Sequence, residues 1–424
     1  MMIKNIDITN YRGIENLHID FHEGINLLIG NNGAGKTSLL NALGIMLCEV
    51  LQRVRNIDIY QMTIGNNAFT TISTIGESVK QPVPHYPVSL KSSIIYQNRE
   101  YLCNRIKINA ATMEESKNPE LYRLFKEIIG KADSQVPMLC FIQAGRNKIS
   151  KEINSTVTLA TSEVERAQGY QNAFSEALNI SNIQQWCLQM EFAEYQEKKV
   201  IREYAAFQDI VSRFMSFMNA ENGMPHIYFA SKIGAIIYAD EKTEQPIYQL
   251  SAGYQAALSV VLELAYRAVI LNPKLKDIAT ETTGVVLIDE IEMHLHPAWQ
   301  WRILKALAGT FPKVQFIIAT HSPIILSSAE GASLYMMKSP NEVLQIDNVY
   351  GYSINEVLSL PQGSQYQPKE IQKYYQEAEN IFETGNTEKL NDLIRRIEDE
   401  FKDSPQVIKD LKDFIEVNRW VEEA

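Results

Sequence analysis

Several short stretches of the chain are apolar with little alternation: Ile25-Asn26-Leu27-Leu28-Ile29, Pro137-Met138-Leu139-Cys140-Phe141-Ile142-Gln143, Val285-Val286-Leu287-Ile288 and Val314-Gln315-Phe316-Ile317-Ile318-Ala319-Thr320. Runs of this length and kind suit strands covered on both faces, as in a parallel sheet. The apolar stretch 256–265 is helical in pattern, and from about Glu163 to Ala220 the period lengthens, with Ile183, Trp186, Cys187 and Met190 at helical spacing after Ser181. Strand-like runs Thr70–Ile75, Ser93–Tyr96 and Tyr101–Ile108, taken with 137–143, predict an antiparallel subdomain. The proline-bearing stretch Gly76–Pro87 between them reads as a loop. His226–Phe229, Ala235–Tyr238, Ser333–Met337 and Val343–Ile346 return to strands, and from Pro368 the tail turns to polar, amphipathic helices. The expected organisation is an α/β head in two halves, 1–150 and 223–350, a helical insertion over 151–222, and a helical tail over 351–424.

The first apolar run leads directly into Gly30-Asn31-Asn32-Gly33-Ala34-Gly35-Lys36-Thr37-Ser38. Three glycines let the backbone curl so that successive N–H groups point inward at phosphate oxygens, and the helix that follows adds its positive end. Lys36 would neutralise the β- and γ-phosphates, and the Thr37 hydroxyl would take one position on Mg²⁺. A nucleoside triphosphate, ATP with Mg²⁺, is therefore the expected ligand.

Val285–Ile288 ends in Asp289-Glu290. The carboxyl end of a buried strand is where an open α/β fold places ligands. Asp289 there can hold Mg²⁺, and Glu290 can polarise an attacking water. Ser251 in Leu250-Ser251-Ala252-Gly253-Tyr254-Gln255 is placed to cap the apolar helix after it, leaving first-turn N–H groups to an anion. Val314–Thr320 ends in His321-Ser322-Pro323. Glu292, His294 and His296 could offer three metal ligands, but their spacing suits a strand while a helix begins near Pro297. Trp299 and Trp301 on that helix read as packing residues.

Forty-five per cent hydrophobic residues in 424 is enough for substantial cores. A net charge of −11 argues against a uniformly basic nucleic-acid binder, and part of the acidity is segregated: residues 365–424 hold 15 Asp/Glu against 9 Lys/Arg. Four scattered cysteines, Cys48, Cys103, Cys140 and Cys187, show no C-x-x-C spacing and read as buried thiols. No 18-residue apolar stretch or secretory pattern is evident, so no membrane association and a cytoplasmic location are expected.

The order of elements, phosphate loop, L-S-x-G-x-Q, strand with Asp-Glu, strand with Thr-His, resembles the ABC-type ATPase superfamily. The resemblance implies a head with a mixed sheet carrying the phosphate loop, an antiparallel β subdomain, and two chains sandwiching ATP. Ser251, Gly253 and Gln255 of one chain would then meet the nucleotide on the phosphate loop of the other, with Glu290 as catalytic base and His321 as γ-phosphate sensor. Ala252 and Tyr254 depart from the usual glycine spacing of that signature. The resemblance gives His294 and His296 a dimer-contact role. Asn10-Tyr11-Arg12 looks like the first hairpin of RecF-, SMC- and Rad-type heads; Arg12 either reaches the nucleotide or is an exposed hairpin arginine. Gln143 is the candidate for coupling Mg²⁺ to the insertion, with Gln61 second.

Taken whole, with Ile-Asp-Glu-Ile-Glu-Met-His-Leu-His-Pro, Ala-Thr-His-Ser-Pro and the acidic tail, the chain resembles the ATPase subunit of Septu and retron-associated anti-phage defence systems. That resemblance implies a sensor or regulatory ATPase controlling a separate HNH-type nuclease, with DNA or a retron's non-coding RNA as further candidate ligands. A DNA-repair or chromosome-associated RecF/SMC-like ATPase is the alternative, disfavoured by the missing long heptad arm and Cys-x-x-Cys hook. A transporter motor is disfavoured by the large insertion. The tail is either a docking surface or a cap on its own head.

Overall fold

The structure, a computed structural model, describes residues 1–51, 54, 62–75, 79–116, 119–131, 134–144, 166–176, 178, 180–219, 224–347 and 349–351, and of the C-terminal part residues 373–374, 377–378, 381, 387–400, 408, 411–412 and 415. Gln61 lies outside the described residues. The chain divides into two compact units, Met1–Ile354 and Asn355–Ala424.

The non-alternating runs all enter one six-stranded sheet, ordered β16 (Glu342–Ile346), β15 (Ser333–Ser339), β3 (Ile25–Ile29), β14 (Val314–Ala319), β13 (Gly284–Ile288) and β9 (Met138–Ile142). β15, β3, β14, β13 and β9 run parallel, and only β16 is antiparallel. β3, β9, β13 and β14 are buried at every position, which explains the missing alternation. The expectation that 137–143 belongs with the antiparallel subdomain is corrected: Met138–Ile142 pairs in parallel with β13. At Gly284 an added Cβ would lie 2.0 Å from the Met138 carbonyl oxygen, so this close strand approach demands glycine.

The antiparallel sheet is ordered β2 (Ile14–Asp20), β1 (Met2–Tyr11), β6 (Val88–Tyr96), β7 (Arg99–Lys107) and β8 (Glu115–Ser116). Helix α1 (Lys36–Leu51) packs against strands of both sheets. Buried polar side chains join the layers: Gln315 accepts from Ile3 N (2.8 Å) and donates to the carbonyls of Ile3 and His22 (2.9 Å each). Such groups are tolerated inside because their hydrogen bonds are made. Glu49 on α1 and Glu114 both pair with buried Arg105 on β7.

Gly76–Pro87 is not all loop, because Val79–Pro84 forms β5, paired with β4 (Thr70–Ile75) in a two-stranded sheet. Pro82 and Pro84 are two residues apart and so occupy equivalent ladder positions, compatible with the open edge where a missing N–H costs nothing.

Helix α2 (Pro119–Ile129) follows the antiparallel sheet, and α3 (Ile180–Glu197) and α4 (Arg202–Met218) occupy the expected helical stretch. Ile183, Trp186 and Cys187 are buried, with Trp186 edge-on to Tyr204, Phe207 and Tyr266. A three-stranded sheet, β10 (His226–Ala230), β11 (Ala235–Ala239) and β12 (Glu244–Pro246), leads into α5 (Ala252–Leu271). By length and composition α5 is apolar enough to cross a bilayer, against the expectation of no such stretch, yet 89% of its apolar window is buried inside the protein. α6 (Pro297–Thr310) and α7 (Pro323–Ser327) complete this unit. All four cysteines are buried and none is in a disulfide.

In the second unit the described helix α8 (Thr387–Glu400) contributes Leu390, Leu393 and Ile397 to a cluster with Tyr374, Ala378, Ile381, Leu411 and Ile415. This unit therefore has an apolar core of its own.

Candidate functional site

Parallel pairing decides where the chemistry collects. Ile288 is level with Ile142 and Ile318, and Ala319 is level with Leu28, so the carboxyl ends of β9, β13, β14 and β3 lie side by side. Gln143, Asp289-Glu290, Thr320-His321 and the phosphate loop each leave one of these ends. The parallel register thus brings together residues up to 285 positions apart along the chain, the separation of Lys36 and His321.

The loop is curled by Gly30, Gly33 and Gly35, with φ of 145°, 83° and 97°. A Cβ on Gly30 would stand 2.3 Å from the Met337 carbonyl oxygen, and one on Gly35 3.1 Å from Pro340 Cα. Glycine is therefore demanded twice, by backbone angle and by the wall behind the loop. Asn31, Asn32 and Gly33 are exposed, Ala34 is buried, and Ser38 is half-buried in the first turn of α1.

Lys36 is buried, its ammonium donating to the carbonyls of Gly30 (2.7 Å) and Asn31 (3.2 Å) and lying 3.4 Å from His321 Nδ1. Burial pushes its pKa down to about 8, opposed by the charges of Asp289, Glu292 and Glu290. The same burial, helped by the Lys36 charge, lowers the pKa of His321 and favours neutral imidazole. The Thr37 hydroxyl donates to Asp289 at 3.0 Å. Burial raises the Asp289 pKa, with Glu290 adding to the rise and Thr37 and Lys36 opposing it.

Thr37 and Asp289 supply one neutral and one anionic oxygen at the loop's mouth. That set fits Mg²⁺, which takes one or two protein oxygens and fills its octahedron with water and phosphate. Among the described residues no cluster of three or more His, Cys, Asp or Glu could hold a metal by itself. Glu292, weighed as a metal ligand, instead accepts from the Thr320 hydroxyl (2.8 Å) and from His321 N (2.6 Å). Gln300 accepts from the Ser322 hydroxyl at 2.5 Å. The segment after Asp289-Glu290 thereby fixes the turn that carries His321, a role for Glu292, Gln300 and Ser322 that no local pattern announces.

Glu290 sits at φ 48°, a left-handed backbone that costs a non-glycine residue on the order of 1–3 kcal/mol and concentrates at functional sites. Gln143 is half-buried beside Asp289 in register, its amide donating to the Phe174 carbonyl at 3.3 Å in the segment that precedes α3. Arg12, at the β1–β2 turn with φ 52°, is held by a bond from its N to Asn67 O (2.7 Å) and lies over the Tyr11 ring. Pro340 stands between that turn and the phosphate loop, within 3.6 Å of a Cβ built on Gly13 and against Gly35.

Ser251, Gly253 and Gln255 are elsewhere. Ser251 occupies the N-cap position of α5, but its side chain makes no capping hydrogen bond, contrary to expectation, and is exposed. Gln255 fastens its own turn, its amide donating to the carbonyls of Tyr248 (3.1 Å) and Leu250 (2.7 Å). Gly253 backs onto the segment after Glu290, a Cβ there falling 3.3 Å from the His294 carbonyl oxygen. Ser251 and Gly253 line a cavity of about 350 Å³ with Tyr254, His296 and Trp299 among others, and no phosphate-loop residue is in its wall. His294 and His296 are exposed. Trp299 packs edge-on to Tyr254 at 4.5 Å, whereas Trp301 is 43% exposed and is not the packing residue expected.

Two family models match the chain. One, described as an AAA domain, covers residues 5–209; the other, an AAA domain whose description adds the AbiEii toxin of type IV TA systems, covers residues 196–327. The retron Ec83 probable ATPase of Escherichia coli is 24% identical over 99% of this chain and 88% of its own length. The retron Vc95 probable ATPase of Vibrio cholerae is 22% identical over 86% of this chain and 79% of its own length. The Septu protein PtuA of Bacillus mycoides is 24% identical over 76% of this chain, which spans 38% of that longer protein.

The depressed pKa of Lys36 has a measurable sign. Phosphate oxygens favour the charged ammonium, so above pH ~8 triphosphate binding must take up a proton, and affinity should fall with rising pH by up to about tenfold per unit. Titration calorimetry in buffers of different ionisation enthalpy reads this uptake directly. Affinity independent of pH between about 7.5 and 9.5 would show that Lys36 stays charged throughout.

Proposed function

From the match of AAA-domain models to residues 5–209 and 196–327, we propose that this chain is an ATPase, the nucleotide-driven regulatory subunit of an anti-phage defence system, and controls a separate nuclease. The observation that carries the ATPase part is the convergence of Lys36, Thr37, Asp289 and His321 at adjacent parallel strand ends. The names of the retron and Septu relatives support the defence part.

Lys36 and the loop N–H groups would hold the β- and γ-phosphates, the ammonium exchanging the carbonyls of Gly30 and Asn31 for phosphate oxygens. Thr37 and Asp289 would hold Mg²⁺, which supplies positive charge shared among phosphate oxygens. Glu290, beside Asp289 and turned by its left-handed backbone, would accept the proton of the attacking water. His321, neutral and fixed through Glu292, would hydrogen-bond the γ-phosphate.

The cavity that Ser251 and Gly253 line holds no phosphate-loop residue of their own chain, which supports a site completed by a second copy. A two-fold arrangement would then give two composite sites. The acidic second unit, with its own apolar core, would dock the effector.

Glu290→Gln keeps shape and removes the base, so ATP should bind as before while turnover falls by roughly 10²–10⁴-fold. Hydrolysis at the parent rate would move the base elsewhere. Mixing Lys36→Ala with Ser251→Arg chains leaves one composite site free of both lesions and should restore part of the ATPase activity. Absence of recovery, once subunit exchange has been demonstrated, would argue for a site within one chain or for obligatory coupling. Removing residues 368–424 should leave a head that binds ATP but loses its nuclease partner during purification from the host. Retention of the partner by that head would shift docking to the head itself.

A further inference from the structure

Strands β4 and β5 form a ribbon that pairs with no other strand among the described residues. Thr70, Thr71 and Ile72 on β4 are exposed, as are Gln81, Pro82, Val83 and Pro84 on β5. Ile72 is level with Pro82, so Ile72 and Val83 lie on opposite faces, and they are 71% and 40% exposed. Neither face is covered at these positions, and a two-stranded hairpin alone is marginally stable at best. Its root is tied down at the β1–β2 turn: Phe69 N donates to the Asn10 carbonyl at 2.9 Å and Arg12 N to the Asn67 carbonyl at 2.7 Å.

The two edges of the ribbon differ. Facing residues of an antiparallel pair alternate between those that exchange backbone hydrogen bonds and those that do not. His85 N donates to the Phe69 carbonyl at 2.7 Å, and Val83 with Thr71 and Gln81 with Ser73 continue that register, so the odd-numbered residues of β4 bond to β5. The N–H and C=O groups of Thr70, Ile72 and Thr74 therefore point outward. On the opposite edge the outward positions include Pro82 and Pro84, which have no N–H to give. Proteins blunt open edges with proline or charge, and β5 is blunted in this way. β4 is not: Thr70-Thr71-Ile72-Ser73-Thr74-Ile75 carries no charge and no proline, and all but Ser73 are β-branched.

We infer that the outer edge of β4 pairs with the same edge of a second copy, antiparallel about a two-fold axis at Ile72, in a four-stranded sheet ordered β5, β4, β4, β5. This register is the one that uses all three outward-facing residues, setting Ile72 level with Ile72 and Thr70 level with Thr74 across the axis. An uncharged edge has nothing with which to select a charged partner, whereas self-pairing sets apolar Ile72 beside its own copy. It also closes the assembly, because both rims of the new sheet are β5 with Pro82 and Pro84, and a third copy finds too few donors to add. The contact uses no nucleotide and is independent of the composite-site reading.

Sedimentation of the whole chain without nucleotide, carrying Lys36→Ala to remove ATP-dependent association, tests this. That parent should dimerise. Adding Ile72→Lys or Ile72→Glu should weaken the dimer by about tenfold or more, since like charges then stand level across the axis and the apolar contact is lost. An equimolar mixture of the two should recover the dimer, the introduced ammonium facing the introduced carboxylate. Val83→Lys, on the strand away from the paired edge, should dimerise as the parent does. A monomeric parent, charged Ile72 variants that dimerise like the parent, a mixture without recovery, or loss of the dimer with Val83→Lys each overturns the inference. Should either charged variant lose its melting transition, Ile72→Pro decides, because it withholds an outward N–H and leaves the bonds to β5 in place: dimerisation equal to the parent overturns the pairing, and its loss supports it.

Discussion

The parallel alignment of β3, β14, β13 and β9 is the constraint on which the site depends. These strands are buried on both faces and pair in a continuous parallel ladder that sets which residues stand level. Once that register is set, the residues leaving the carboxyl ends have no freedom to lie apart. Lys36, Thr37, Asp289 and His321 meet because the backbone ladder brings them there, and their contacts with one another are weak by comparison: a 3.0 Å hydroxyl bond and a 3.4 Å approach between nitrogens. Hydrophobic pairing positions the chemistry, and the polar groups adjust it.

The adjustment is paid in desolvation. Lys36, Asp289 and His321 all have their charged forms disfavoured by burial, in each case the largest cause of the shift. In isolation that would be a defect; around a polyanion and a hard cation it is a poised state, since the ligands restore the charged forms of Lys36 and Asp289. Glu292 keeps the arrangement from collapsing, because both its oxygens are committed to Thr320 and His321.

Local pattern was enough to find the phosphate loop, Asp289-Glu290 and Thr320-His321, because each lies at the end of a run whose burial shows as missing alternation. The strand β9 was equally legible, but its sheet was not: membership is decided by crossovers, which a single apolar run does not record. The stretch Gly76–Pro87 reads as a loop, although Val79–Pro84 pairs as a strand, because prolines at an open edge look like prolines in a turn. The clamp by Glu292 joins residues 28 and 29 positions apart, and the wall behind the loop comes from Met337 and Pro340, three hundred residues onward. Neither contact has a periodic signature. Gln255 matched a signature, yet its amide turns back onto carbonyls of its own turn, a choice made by local hydrogen bonding rather than by motif.

The wall behind the phosphate loop also bears on the entropy of recognition. Gly30 and Gly35 are backed by main-chain atoms of Met337 and Pro340, which cannot swing aside as a side-chain rotamer would. The loop therefore has little room to sample wider shapes, and the ordering that a flexible anion nest would undergo on capturing its ligand has already taken place during folding. Affinity lost to rigidification in a looser loop is here retained, so discrimination among ligands falls to their shape and charge at the mouth rather than to how far the protein must rearrange to hold them.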